Sequence, residues 1–283
     1  MRKLKIILEM IKFEHTVFAL PFAVMSAFIA ADGLPSLEKL GWILVAMVGA
    51  RSCAMAFNRL ADAEFDSINP RTATRAIPAG LITKGAVWVF TIVSAGLLVL
   101  AAWRLNPLAF ALSPAALAVI MGYSYTKRFT VLSHFWLGLS LSISPVGAWI
   151  AIQGSFALPP IILCLVVLLW TAGFDIIYAC QDVNFDRKHG LRSIPAKLGI
   201  RWALWVSSAL HVVAVLLLLS IPFLVELGTF YYIGVGIVVL IFIYEHAIVK
   251  PTDLSRVNLA FFTLNGMISL VLMVLSIADI LYF

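Results

Sequence analysis

Apolar runs recur along this chain at roughly 18–25 residues, the length an α-helix needs to cross the hydrocarbon of a bilayer. Nine can be drawn, over about 14–32, 39–59, 85–104, 107–126, 132–152, 158–180, 202–224, 228–248 and 257–280. The seventh and eighth nearly fuse around Pro222, Glu226 and Gly228. Charged residues make up 12% of the chain and apolar ones 63%, whereas a soluble domain carries about a quarter charged residues. The fold class that follows is all-α, a polytopic membrane helical bundle of about nine transmembrane helices. Residues 1–283 form a single domain, with no Ser/Gly-rich linker or low-complexity block to divide them.

The net charge of +6 is not a nucleic-acid signal, because Lys and Arg of membrane proteins gather in cytoplasmic loops. With the N-terminus inside, 17 of the 20 basic residues fall on the inside, among them Arg2, Lys3, Lys5 and Lys12. Lys39 and Arg104 fall outside, and Arg51 lies within a span. An error of one span would scramble this asymmetry. The opening residues imitate a signal peptide, but Glu9, Lys12, Glu14 and His15 interrupt the approach. Ile6, Ile7, Met10, Ile11 and Phe13 among those charges read as a retained amphipathic helix on the membrane surface. Cys53, Cys164 and Cys180 lie in or near apolar segments without CxxC spacing and read as small buried hydrophobes.

Acidic residues are scarce here, and four of them form a duplicated pattern. Asp62 and Asp66 end the second span and are followed by Arg75-Ala76-Ile77-Pro78. Asp182 and Asp186 end the sixth and are followed by Arg192-Ser193-Ile194-Pro195. The offset of four spans predicts an internal four-helix pseudo-repeat with both pairs on the cytoplasmic face. Residues at i and i+4 share a helix face, so Asn58, Asp62 and Asp66 would project together, as would Asp182 and Asp186. Like charges at that spacing repel and want a counterion. Mg²⁺ is held by one or two carboxylates plus waters and phosphate oxygens, so two facing pairs suit a diphosphate between metal ions. The bland alternative for one pair is a helix end running into solvated loop; duplication in register weighs against it.

Asp175 sits seven residues before Asp182, and Arg51 seven before Asn58. Charges within spans face the bundle interior; these two either pair with each other or line the cavity beneath the metal site. Lys127 and Arg128 close the fourth span, as positive-inside anchors or as a clamp on a diphosphate or a substrate carboxylate. The five histidines show no metal-ligand spacing, Asn265 reads as a helix–helix hydrogen bond, and no Ser-His-Asp set, Walker loop or GxGxxG is present.

In order along the chain, these motifs resemble the UbiA family of membrane prenyltransferases. The resemblance rests on Asn58-x-x-x-Asp62-x-x-x-Asp66 with Arg71-Thr72-Ala73-Thr74-Arg75-Ala76-Ile77-Pro78. It rests also on Tyr125-Thr126-Lys127-Arg128-Phe129-Thr130, and on Asp175-x-x-Tyr178-x-x-x-Asp182-x-x-x-Asp186 with Gly190-Leu191-Arg192-Ser193. It implies transfer of a prenyl chain from a prenyl diphosphate to an aromatic acceptor with Mg²⁺, at a cytoplasmic site in the bilayer. The setting would be a bacterial cytoplasmic membrane. By the same resemblance Asn58, Asp62, Asp66, Asp182 and Asp186 would hold diphosphate through Mg²⁺. Lys127, Arg75, Lys188 and Arg192 would touch the diphosphate, and Arg128 the acceptor carboxylate. Tyr178 and Tyr125 would flank the allylic cation. One departure is Asn58-Arg59 where many members have Asn-Asp, which bears on acceptor specificity. The motifs are most similar to 4-hydroxybenzoate polyprenyltransferases of ubiquinone biosynthesis. The opening Ile11-Lys12-Phe13-Glu14-His15 and onward is similar to a menaquinone-route branch with a hydroxynaphthoate acceptor. A polytopic transporter is the reading from another class, but its site belongs near the midplane and these acids lie at helix ends.

Overall fold

The computed structural model describes residues 2–11 and 13–282, with the side chains of all of these except 2–5 and 13–15. Lys12, counted above among the inside charges, lies outside the described residues. The helices run α1 Arg2–Met10, α2 Leu20–Ala31, α3 Leu37–Ala61, α4 Ala63–Ile68, α5 Lys84–Leu105, α6 Pro107–Thr126 and α7 Ser133–Gln153. After them come α8 Leu158–Ala179, α9 Val183–Lys188, α10 Ile194–Leu198, α11 Ile200–Ser220, α12 Thr229–Ile248 and α13 Asn265–Tyr282. The described residues contain no strand, only an isolated bridge between Lys250 and Asp253.

Local chemistry sets many of the helix ends. Ser36, Thr83, Asn106 and Ser193 each accept the backbone N–H three residues on, so α3, α5, α6 and α10 start with a capped donor. Gly154, at φ 69°, ends α7 in the left-handed region. The uncertain junction near Pro222 resolves as a 3₁₀ turn, Ile221–Phe223, with α12 beginning at Thr229. Asp279 of α13 crosses over to accept the backbone N–H groups of Gly228 and Phe230, the latter at 2.9 Å. A carboxylate at a helix N-terminus satisfies orphan donors and opposes the macrodipole.

Eight described helical segments are long and apolar enough to cross a membrane, and they match the second to ninth predicted spans. The first is shorter. It is a 3₁₀ helix, Phe13–Phe18, leading into α2, with an apolar stretch over Thr16–Ala31 only. That stretch is packed inside the bundle: Phe22, Ala23, Met25 and Ala27 are all buried. A helix covered by protein need not match the bilayer thickness.

At the centre stands α8. Its run from Val166 to Ile177 is largely buried among α2, α7, α11 and the π-helical stretch Leu259–Leu264 that precedes α13. Trp170, Phe174 and Phe261 form an edge-to-face column, with centroids 5.1 and 5.3 Å apart, that ends at Tyr178, 4.3 Å from Phe261. Asn265 is the predicted inter-helix bond: it accepts from Trp170 Nε1 at 2.6 Å and donates to Glu245 Oε1 at 3.2 Å. Close approach elsewhere depends on small residues. Gly138 of α7 lies against the backbone carbonyl of Leu168 in α8, so a Cβ there has no room.

Gly138→Ala should therefore force α7 away from α8. We expect a loss of about 1–3 kcal/mol, read as a lowered thermal unfolding midpoint in detergent. A wild-type midpoint would show that the two helices are not in backbone contact there.

Candidate active site

The two long helices that carry the acid pairs stop in the same way. α3 ends at Ala61 and leaves Asp62 at φ −93°, ψ 5°, before α4 begins. α8 passes through a 3₁₀ turn, Cys180–Asp182, and leaves Asp182 at φ −101°, ψ 5°, before α9. Both aspartates occupy the sparsely populated bridge region, where many site residues are found. Each pair therefore straddles a helix break instead of sharing one helix face as expected. The i, i+4 link survives as the Asp66 N–H to Asp62 carbonyl bond of 2.8 Å, while the break lets each carboxylate find its own partner.

The breaks meet the α6–α7 turn and the loop after α4 around one cavity of about 170 Å³ at one end of the bundle. Of the residues expected to act there, Asn58, Asp62, Asp66, Arg75, Lys127, Arg128, Asp175, Tyr178, Asp182 and Asp186 all line it. Five carboxylates face four cations, the fourth cation being Arg71.

Each carboxylate has a recorded partner. Arg71 grips Asp182 with two bonds, Nε to Oδ1 at 3.0 Å and Nη2 to Oδ2 at 2.6 Å, and gives Nη1 to the Tyr178 hydroxyl at 2.9 Å. Burial works against the charge on Arg71, but the bond to Asp182 outweighs it and the guanidinium pKa is raised. Arg75 meets Asp66 Oδ1 at 2.6 Å. Asp186 accepts Ser193 Oγ at 2.8 Å and has Lys127 Nζ at 3.9 Å. Asp62 accepts the Asn58 amide at 2.8 Å, with Arg128 at 3.7 Å. Arg128 also donates to the Ala61 carbonyl at 2.6 Å, placing a positive charge on the C-terminal end of α3. Asp175 pairs with His134, Nδ1 to Oδ2 at 2.6 Å; the sequence had offered Arg51 for this role.

Other expected residues lie elsewhere. Lys188 is exposed on α9 and does not line the cavity. Arg192 is turned to backbone: its Nη1 donates to Phe129 O at 2.7 Å and its N–H to Lys127 O at 2.7 Å, bracing the α6–α7 turn. Tyr125 is 42% exposed and lies outside the lining, under Arg128 at 4.9 Å. The departure at Arg59 has a plain outcome, since its Nε donates to Met10 O at 3.1 Å and so ties down the end of α1, and it does not line the cavity. Among the lining residues, Arg71, Asn69, Tyr123, Phe65 and Phe185 had not been singled out for the site. For Arg71 the signal was there, one turn ahead of Arg75 in the same loop.

Among the described residues no three His, Cys, Asp or Glu side chains converge as a ready metal cage. Mg²⁺ does not need one, taking one or two carboxylates and filling the rest with water and phosphate oxygens. The donor set fits that use. Asp66 Oδ2 is a buried carboxylate oxygen with no hydrogen-bond partner, an orphaned acceptor that a cation would satisfy. Asn58, Asp62 and Asp66 would hold one ion, and Asp182 and Asp186 the other.

The pattern of the UbiA prenyltransferase family matches residues 19–267. The 4-hydroxybenzoate octaprenyltransferase of Vibrio parahaemolyticus is 31% identical over 245 residues, 86% of this chain and 85% of that protein. The ligand-free structure of a UbiA homologue from Aeropyrum pernix superposes with a TM-score of 0.86 at 34% identity, over 95% of this chain and 98% of that one. A UbiA homologue from Archaeoglobus fulgidus, solved bound to DMAPP and Mg²⁺, has a TM-score of 0.78 at 20% identity, over 97% and 98% of the two chains; at that identity the likeness is one of fold. The chain belongs to the UbiA prenyltransferase family.

Burial pushes the Asp62 carboxyl above its usual range and the neighbouring Asp66 adds to this, while Arg128, Lys127 and the Asn58 amide pull it back. A raised value in the folded state gives metal-free protein stability that is present at low pH and lost as pH rises through that value. Mg²⁺ needs the ionised form, so its stabilisation should grow with pH over the same window. Saturating Mg²⁺ at 100 times its Kd contributes about 2.7 kcal/mol. Asp62→Asn should flatten this pH-dependent gain in thermal midpoint, and a variant that keeps the full Mg²⁺ shift would remove Asp62 from the metal set.

Proposed function

We propose that this chain transfers a polyprenyl group from a polyprenyl diphosphate to a hydroxylated aromatic carboxylate of the 4-hydroxybenzoate kind, using Mg²⁺ and releasing diphosphate, in quinone biosynthesis. The observation that carries the reading is the single cavity where two matched aspartate pairs meet Arg71, Arg75, Lys127 and Arg128. At about 170 Å³ it is smaller than the roughly 300–1,000 Å³ of a site that encloses a whole ligand. It is sized for the polar head of the donor, with the chain passing among helices.

Charge supports the same ligand. The lining carboxylates exceed the lining cations by one. Two Mg²⁺ and a fully ionised diphosphate ester, carrying about −3, would bring the whole close to neutral. When bound, the metal supplies electrostatic stabilisation to the departing diphosphate. Lys127 and Arg75 lie where they would take up the charge that develops as the allylic C–O bond breaks. The electron pair leaves with the diphosphate oxygen, the ring carbon beside the phenolic oxygen attacks the allylic carbon, and the ring then loses a proton. Tyr178 lines the cavity with Arg71 already over its ring at 5.3 Å, so it both orients that cation and walls the site against water.

The 4-hydroxybenzoate acceptor is supported by the names of the curated relatives; a hydroxynaphthoate of menaquinone biosynthesis is the alternative acceptor. The basic residues beside the cavity support a cytoplasmic site, with the N-terminus inside. A bacterial inner membrane is the setting this implies.

Membranes carrying the protein, Mg²⁺ and a long prenyl diphosphate should convert one of the two acceptors to a prenylated product by mass spectrometry. Release of no diphosphate with either would overturn the enzyme reading. Asp182→Ala should lower transfer by about 100-fold or more while leaving membrane insertion intact, and near-normal turnover would sink the role given to that pair.

A further inference from the structure

His134 is fully buried, 41 residues from Asp175 in sequence, and both of its ring nitrogens are engaged. Nε2 lies 3.3 Å from the backbone N of Ile194. A backbone N–H can only donate, so Nε2 is the acceptor and the ring carries its proton on Nδ1. That proton points at Asp175 Oδ2, 2.6 Å away. The next residue back from Ile194 is Ser193, whose Oγ donates to Asp186 Oδ2 at 2.8 Å. A continuous chain thus runs from Asp175 through His134, Ile194 and Ser193 to Asp186.

The position of Asp175 gives the chain its meaning. The other four lining aspartates each have an Arg or Lys within 4 Å. Asp175 is met instead by an imidazole, and it lies within α8, seven residues before Asp182 at the helix break. A carboxylate held by a single neutral donor keeps its other lone pairs for a ligand. It therefore suits a hydroxyl donor, while the cation-rich end suits a diphosphate.

We propose that His134 is a positioning residue that holds Asp175 as the hydrogen-bond acceptor for the acceptor's ring hydroxyl. The inference rests on the prenyl-transfer reading above. A hydroxyl bonded to a carboxylate pushes electron density into the ring, which favours attack from the adjacent carbon. The bond from His134 acts through Asp175 and never touches the reacting atoms.

Two near-isosteric variants separate the two bonds. In His134→Asn the amide nitrogen falls close to Nδ1 and keeps the donor to Asp175. In His134→Gln the amide reaches the Nε2 position and keeps the acceptor for Ile194 instead. Steady-state transfer is measured with whichever of 4-hydroxybenzoate or hydroxynaphthoate the wild type prenylates. His134→Asn should stay within about threefold of wild type. His134→Gln should lose about tenfold or more in kcat/KM for the aromatic acceptor, with the KM for prenyl diphosphate and the thermal midpoint little changed. In an Asp175→Asn background the His134→Gln loss should vanish, because the two act as one unit. Equal losses in both variants, a loss confined to the donor KM, failure of both to fold, or losses that add in the double variant would overturn the proposal. A wild type that prenylates neither acceptor overturns the functional reading itself, a result seen before any His134 variant is compared.

Discussion

Carboxylates crowded into a low-dielectric site cannot all be ionised without positive charge close by, and this one electrostatic requirement organises the end of the bundle where the cavity lies. Removing charge from water costs several kcal/mol per ion, so every aspartate brought there has to be given a partner. The partners come from four separate pieces of chain: Arg71 and Arg75 from the loop after α4, Lys127 and Arg128 from the α6–α7 turn, His134 from the start of α7, and Ser193 from the segment entering α10. The loops are thereby tied to the helix ends. Arg192 adds to this by bracing the turn that carries Lys127.

The membrane-spanning part of the molecule serves that arrangement by giving it a rigid base. α8 is covered over most of Val166–Ile177, which is why it can hold Asp175 within the bundle, where a lipid-facing stretch could not. The aromatic column from Trp170 through Phe174 and Phe261 ends at Tyr178, which lines the cavity, so the packed core continues up to the site. α2 and the 3₁₀ helix before it complete the packing around α8 with Phe22 and Phe18 respectively.

Much of this was legible in the chain, and for identifiable reasons. Spans two to nine announce themselves by length alone. The acid pairs stand out because their duplication in register is improbable by chance. What could not be read depends on backbone geometry and on distant pairing. Nothing in Asn58-x-x-x-Asp62-x-x-x-Asp66 distinguishes one helix from two joined at a bridge-region residue. His134 shows no ligand spacing, since its partners are Asp175 and Ile194, far along the chain. Lys188 and Arg192 were expected at the diphosphate beside Arg75, which Arg192 matches in the repeat, yet one is exposed on α9 and the other bonded to a backbone carbonyl.

That last contrast says something about the duplication itself. The acids are repeated faithfully, down to matching backbone conformations at Asp62 and Asp182. The bases are not: the first-half loop supplies an arginine to each pair, Arg75 to its own Asp66 and Arg71 across to Asp182, while the second-half loop supplies a serine to Asp186 and a brace to the turn. A matched set of carboxylates within an asymmetric set of cations would give a bound diphosphate one orientation. On the proposed reading the diphosphate would face the arginine-bearing loop and Lys127, and the opposite side would be left to Asp175 and His134. A duplicated scaffold can hold two like ions, but a reaction between two unlike substrates needs the two ends of the cavity to differ. Here the difference comes from the loops and from Asp175, while the two acid pairs keep their match at the helix breaks.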